Sequence, residues 1–225
     1  LLLVSLIRGI YYSCRKVICR SSSVILGTPL ILHMGKEVIM FIPTYESVLA
    51  MSPTDFEKYS LQILFQQVKH LDDCKVQHNK IIEVDDGNYQ IDGYIEFSLM
   101  GIIYKTILEC KHYKSSISRE KVQVLYDKIR ACGANKGILI SSSNFQSGAI
   151  EYASKHGIAL IQLTDAGEQY VKRSGFNVIM NSHQIPYNDG CQYIGVMQSS
   201  TGSGITCSYL SRTNLAIKEY LKNNK

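Results

Sequence analysis

The stretch "ILECKHYK", Ile107–Lys114, decides how the rest of the chain is read. Its first half is apolar and suits a buried strand, yet Glu109 and Lys111 interrupt it on either side of Cys110. Charged groups inside an apolar strand are costly unless they are paired or hold a metal. Side chains alternate across a strand, so Glu109 and Lys111 share one face while Leu108, Cys110 and His112 share the other. The acid and the base are therefore expected to act together.

Upstream of this strand, "KVQHNKIIEV" (75–84) reads as a strand, "DDGN" (85–88) as a hairpin turn and "YQIDGYIEF" (89–97) as a second strand. The third strand, "IIYKTILECKHY" (102–113), is reached through Gly101. Before them, "SPTDFEKYS" (52–60) has the grammar of a helix start. Ser52 suits the N-cap, Pro53 the first helical position and Asp55 the third. Phe56, Ile63, Leu64, Val68 and Leu71 keep helical spacing, which predicts a helix over 52–71.

Downstream, Ser118 is expected to cap a helix with an apolar stripe of Val122, Leu125, Ile129 and Cys132, closed by Gly133. "KGILIS" (136–141) and "IALIQL" (158–163) read as interior strands around a small-residue helix in "FQSGAIEYASKHG" (145–157). The order α-β-β-β-α-β-α-β implies an α/β sandwich around a mixed sheet. After Asp165, short strands are expected near 176–181 and 192–197, with a loop "SSTGSG" (199–204) and a last helix near 213–222. The expected domain is 51–165. Residues 1–50, which do not begin with Met, read as an N-terminal extension or as upstream sequence, and 166–225 as a small C-terminal extension.

Composition narrows the classes. A chain of 225 residues, 45% hydrophobic and 19% charged, belongs with soluble globular proteins. Lys and Arg exceed Asp and Glu by 24 − 19 = 5, and residues 1–50 carry +3 of that excess, so any nucleic-acid footprint must be local. Seven cysteines without a CxxC pair argue against a zinc ribbon, and their odd number argues against a disulfide framework. Reduced thiols suit a cytoplasmic protein. "LLLVSLI" (1–7) is too short to span a bilayer and meets Arg8 at once, so no membrane partner is expected.

Asp92 precedes the turn-prone Gly93. If the second and third strands are neighbours, Asp92 reaches the edge of the sheet that carries Glu109. Two carboxylates converging with a lysine suit a hard divalent cation such as Mg²⁺, the lysine orienting water or offsetting charge at a phosphoryl centre. Asp85 and Asp86 suit the turn instead, and Glu96 lies about 13 Å farther along the strand. Cys110 and His112, roughly 6.6 Å apart along a strand, make a poor thiol dyad. His112, Lys114, Arg119 and Lys121 cluster after the motif as phosphate-contacting candidates. The helix start after "SSSN" (141–144) offers free amides to another phosphate, whereas "TGSG" (201–204) lacks the lysine of a phosphate loop.

"QID" (90–92), with its Asp seventeen residues before the Glu of "ECK" (109–111), resembles the D-x(n)-(D/E)-x-K signature of the PD-(D/E)XK nuclease superfamily. The longer run from Ile107 to Leu163 resembles its Mrr-like restriction endonuclease branch, and the likeness extends over about 51–163. It implies a restriction-endonuclease-like α/β/α sandwich with a central mixed sheet. It also implies a Mg²⁺-dependent DNA endonuclease of the type II or type IV restriction kind, with Mn²⁺ as an alternative ion. DNA is the implied partner, together with a second copy of the chain or other restriction-system subunits. Carried over by residue, Asp92 and Glu109 become metal ligands with the Cys110 main-chain carbonyl as a third, and Lys111 the catalytic lysine. Gln123 matches a glutamine on the following helix and Glu57 an acid on the first. Ile91 stands where the family pattern has proline. Two readings stay open beside this one: a structure-specific resolvase or exonuclease of the same fold, and a non-catalytic nucleic-acid-binding domain.

Overall fold

A computed structural model describes residues 47–165, 193–210 and 215–222. The helix-start grammar holds: the Ser52 hydroxyl accepts from the Asp55 amide at 3.1 Å, and Pro53 opens helix α1 (Pro53–Val68). The helix closes three residues sooner than its apolar spacing predicts. Lys69 caps it by donating to the Phe65 carbonyl, and Leu71 is buried beyond that end.

Three antiparallel strands follow: β1 (Asp72–Val84), β2 (Gly87–Leu99) and β3 (Ile102–Lys111). Met100 and Gly101 join β2 to β3 with φ of 54° and 80°. Paired positive φ values match the right-handed twist of the flanking strands, and glycine takes such a conformation without steric cost. The chain then alternates: α2 (Arg119–Ala131), β4 (Lys136–Ser141), α3 (Ser147–Lys155) and β5 (Ile158–Asp165). Strands β6 (Tyr193–Ser200) and β7 (Ile205–Tyr209) and helix α4 (Ala216–Lys222) complete the described chain. The seven strands form one sheet in sequence order, with β3–β4 and β4–β5 parallel and every other pair antiparallel.

Alternation along the strands feeds two apolar layers. Ile95, Phe97, Leu108, Ile138, Ile140 and Ile161 pack on one face with α1 and α4, through Phe56, Leu64, Ile217 and Leu221. Ile107, Leu139, Ile158 and Leu160 pack on the other with α2 and α3, through Val122, Leu125, Ala149 and Ile150. The result is the expected α/β sandwich with a mixed central sheet.

Several local expectations need correction. Ser118 precedes α2, but its side chain makes no capping bond. The "SSTGSG" segment is the tip of a β6–β7 hairpin, because Ile205–Tyr209 pairs back along β6, a strand too short and too exposed to show a period. The strand expected at 176–181 lies outside the described residues. Val48 is buried ahead of Met51, and the Asp165 carboxylate accepts from the Ser47 hydroxyl at 2.7 Å and the Val48 amide at 2.8 Å. Packing thus continues ahead of Met51, and beyond Asp165 β6 pairs with β5. Among the described residues, no helix is long and apolar enough to cross a membrane.

Candidate active site

The site forms where a ladder ends. β2 and β3 pair from Leu99–Ile102 to Gly93–Leu108 and no farther. Beyond Leu108, β3 continues beside β4, with Glu109 opposite Leu139, Cys110 opposite Ile140 and Lys111 opposite Ser141. The Cys110 amide is left without a strand on the side where β2 has withdrawn. A buried amide needs an acceptor, and Asp92 supplies one: Cys110 N donates to Asp92 Oδ2 at 2.7 Å. That bond turns Asp92 toward the main chain between Glu109 and Lys111.

Two features of β2 make room for this. Its alternation slips, so that Ile91 and Tyr94 both join the layer beneath α2 and α3, and Asn79 on the paired strand has a φ of 53°. Gly93 lets α1 press close: a Cβ there would lie 2.5 Å from Leu61 Cδ2 and 2.7 Å from Leu108 Cδ2.

Glu109 is 5% exposed and carries two cationic partners. Lys111 Nζ donates to Oε2 at 2.9 Å, and Lys128 Nζ, from α2, donates to Oε1 at 2.6 Å. Burial draws the Lys111 ammonium toward neutrality, but the charge and hydrogen bond of Glu109 and the charge of Asp92 outweigh it, leaving its pKa above the ordinary lysine value. Burial pushes the Asp92 carboxyl above its ordinary value. The Cys110 amide pulls it back, the Glu109 and Glu57 carboxylates push it up again, and Lys111 pulls it down. No described hydrogen bond engages Asp92 Oδ1.

The remaining candidates divide. Glu57 lies close enough to Asp92 to affect its charge, and it is held by His78 Nε2 at 2.8 Å. Gln123 is on the exposed side of α2, and no described hydrogen bond brings it to either carboxylate. Cys110 is buried against α1, its thiol pushed well above the usual value by burial. His112 turns inward, donating to the Val48 carbonyl at 3.0 Å with its ring 5.0 Å from that of Phe56. It therefore braces the 3-10 turn Val48–Ala50 and makes no thiol–imidazole bond among those described. Lys114 and Arg119 are exposed, Arg119 lying 5.0 Å from the Tyr152 ring, and Lys121 is half-buried with Glu120 at 3.9 Å.

The serines after β4 fix the loop that bears Lys114. Ser142 Oγ donates to the Tyr113 carbonyl at 3.0 Å and Ser143 Oγ to the Ser115 carbonyl at 2.6 Å. The amides of this turn bond locally as well, Ser142 N to the Lys111 carbonyl at 3.2 Å and Ser143 N to Ser141 Oγ at 3.0 Å. Helix α3 begins later, at Ser147.

Sequence reasoning missed Lys128 and His78. Lys128 is three residues after Leu125 and four before Cys132, so it flanks the apolar stripe and helical spacing could have flagged it. His78 lies opposite Gly93 in the β1–β2 register, a placement that only the pairing reveals.

The donors fit a hard divalent cation. Both carboxylates offer oxygen, the preferred donor of Mg²⁺, and their mutual repulsion is what a cation relieves. Among the described residues, no three His, Cys, Asp or Glu side chains gather closely enough to hold a metal. Such an ion would rest on two carboxylates, main chain, water and substrate.

A family model described as "Restriction endonuclease" (Mrr_cat) matches residues 48–168. The type IV methyl-directed restriction enzyme EcoKMrr of Escherichia coli (strain K12) is 29% identical over 119 residues, covering 52% of this chain and 37% of that protein. This chain thus spans little more than a third of that relative's length. A solved structure titled "Crystal Structure of Protein of Unknown Function AF1548" aligns with a TM-score of 0.41 at 16% identity, covering 48% of this chain and 57% of that one, a likeness too slight to carry an argument.

Proposed function

The chain belongs to the Mrr-like restriction endonuclease family, and we propose on that ground that it hydrolyses phosphodiester bonds in DNA with the help of a divalent cation. The observation that carries this reading is the Asp92–Cys110 bond, which brings an acid from β2 to the main chain between Glu109 and Lys111.

Asp92 and Glu109 are the residues that would hold Mg²⁺ or Mn²⁺, with the Cys110 carbonyl as a main-chain ligand. The ion, when bound, supplies Lewis-acid polarisation of a phosphoryl oxygen. The charge and hydrogen bond of Glu109 favour the ammonium form of Lys111. In that form it donates hydrogen bonds to the attacking water or to the oxygens that gain charge. The Cys110 amide keeps Asp92 aimed, and Glu57, steadied by His78, adds negative charge at the same edge. Lys114, Arg119 and Lys121 contact backbone phosphates, while Gln123 assists only from the outer side of α2. We take recognition of the DNA sequence to depend on a second copy or another restriction subunit.

The test is plasmid cleavage with Mg²⁺ by the wild type, Glu109→Ala and Lys111→Ala. Methylated and unmethylated DNA are compared, because the E. coli relative is a methyl-directed enzyme. Cleavage by the wild type alone supports the proposal. Unchanged cutting by both variants removes the assignment.

A further inference from the structure

Two ammonium groups face the two carboxylates of the proposed metal site, with Glu57 and its His78 partner at the same edge. Asp92 and Glu109 bring the carboxylates; Lys111 and Lys128 bring the ammonium groups. Lys111 belongs to the motif. Lys128 arrives from α2, taking Glu109 Oε1 at 2.6 Å and the Gln90 carbonyl at 3.3 Å. Its ammonium thus spans the gap where β2 and β3 part, touching both the strand that carries Asp92 and the strand that carries Glu109. Glu109 is enclosed, with 6% of its side chain exposed, whereas 23% of the Lys128 side chain is exposed. The lysine has a route to solvent that the acid lacks.

We propose that Lys128 is a positioning residue that occupies the cation's place on Glu109 until the ion arrives, and must release Oε1 for the ion to bind. This rests on the metal-site reading above. An ammonium at 2.6 Å satisfies the buried oxygen that a divalent cation would claim, so the two compete for one acceptor. Once released, Lys128 has its charge free for the phosphodiester that enters beside the ion. A simple structural strut behaves differently. Removing a strut would loosen Glu109 and weaken ion binding, whereas removing a competitor strengthens it.

The experiment is titration of the metal-free full chain with Mn²⁺, free ion being read by electron paramagnetic resonance, for the wild type, Lys128→Met, Lys128→Arg and Glu109→Gln. The expected results are Mn²⁺ binding tightened on the order of tenfold by Lys128→Met, near-wild-type affinity for Lys128→Arg, and no binding for Glu109→Gln. Unfolding curves establish that each variant is folded, and Lys128→Gln replaces Lys128→Met under the same criterion if that variant does not fold. Glu109-dependent binding that Lys128→Met leaves unchanged or weakens overturns the role of Lys128 and leaves the metal site standing. Absence of Glu109-dependent binding in the wild type overturns both.

Discussion

Along the seven register pairs from Gly93–Leu108 to Leu99–Ile102, β2 and β3 serve each other's main chains. Past Gly93 they do not, and side chains take over: Asp92 accepts from the Cys110 amide, and Lys128 donates to the Gln90 carbonyl. At the paired end the hairpin is bland, with Met100, Ile102 and Ile103 exposed. A cavity of about 380 Å³ opens there, and the acids among its lining residues include Glu96, already bonded by Tyr94 and Lys75. The contrast shows how polar groups become organised in an apolar sheet. Where the ladder ends, unpaired main-chain groups recruit charged side chains, and satisfying the backbone fixes their positions.

Asp92→Asn tests the parted end most severely. An amide oxygen can still accept from Cys110, but the ligand charge is gone, so cleavage should fall on the order of a thousandfold. Stability should move the opposite way. The folded carboxyl has a raised pKa, so the folded state holds its proton more firmly than the unfolded state does. Its stabilising effect is complete below the ordinary carboxylate pKa and is lost as pH rises through the folded value. Removing the group should raise the midpoint of thermal unfolding at neutral pH and flatten its slope with pH. A lower midpoint at pH 7 would break this half of the comparison.

Gly93→Val tests the boundary. Its side chain would meet Leu61 and Leu108, and we expect a loss of about 1–3 kcal/mol in urea unfolding. Unaltered stability would mean that α1 does not press on the sheet at that point. Ile102→Thr, at the paired end, should have the smallest effect. Its side chain is exposed, so stability should change by less than about 0.5 kcal/mol and plasmid cleavage should be unaltered.

Much of this architecture was legible in the sequence. The meander, the two interior strands and α2 follow from apolar period and turn residues, and Ser52 and Pro53 mark the start of α1 correctly. The face shared by Glu109 and Lys111 followed from strand alternation alone. Alternation does not reveal where a ladder stops, and that boundary decides what Asp92 does. Lys128 was obscured because a lysine beside an apolar stripe ordinarily reads as a solvated flank. Strand β7 was missed because its side chains are exposed or half-buried, so no apolar run announces it.

The central claim is that Asp92 and Glu109 share one cation at the parted end of β2 and β3. A crystal of the protein grown with Mn²⁺ and DNA, with the ion located by its anomalous scattering, tests it directly. The account predicts a single peak roughly 2.1 Å from a carboxylate oxygen of each residue, with Glu109 Oε1 no longer held by Lys128. A peak that touches neither carboxylate, or an ion on Glu109 while Asp92 stays bonded to the Cys110 amide alone, would contradict it.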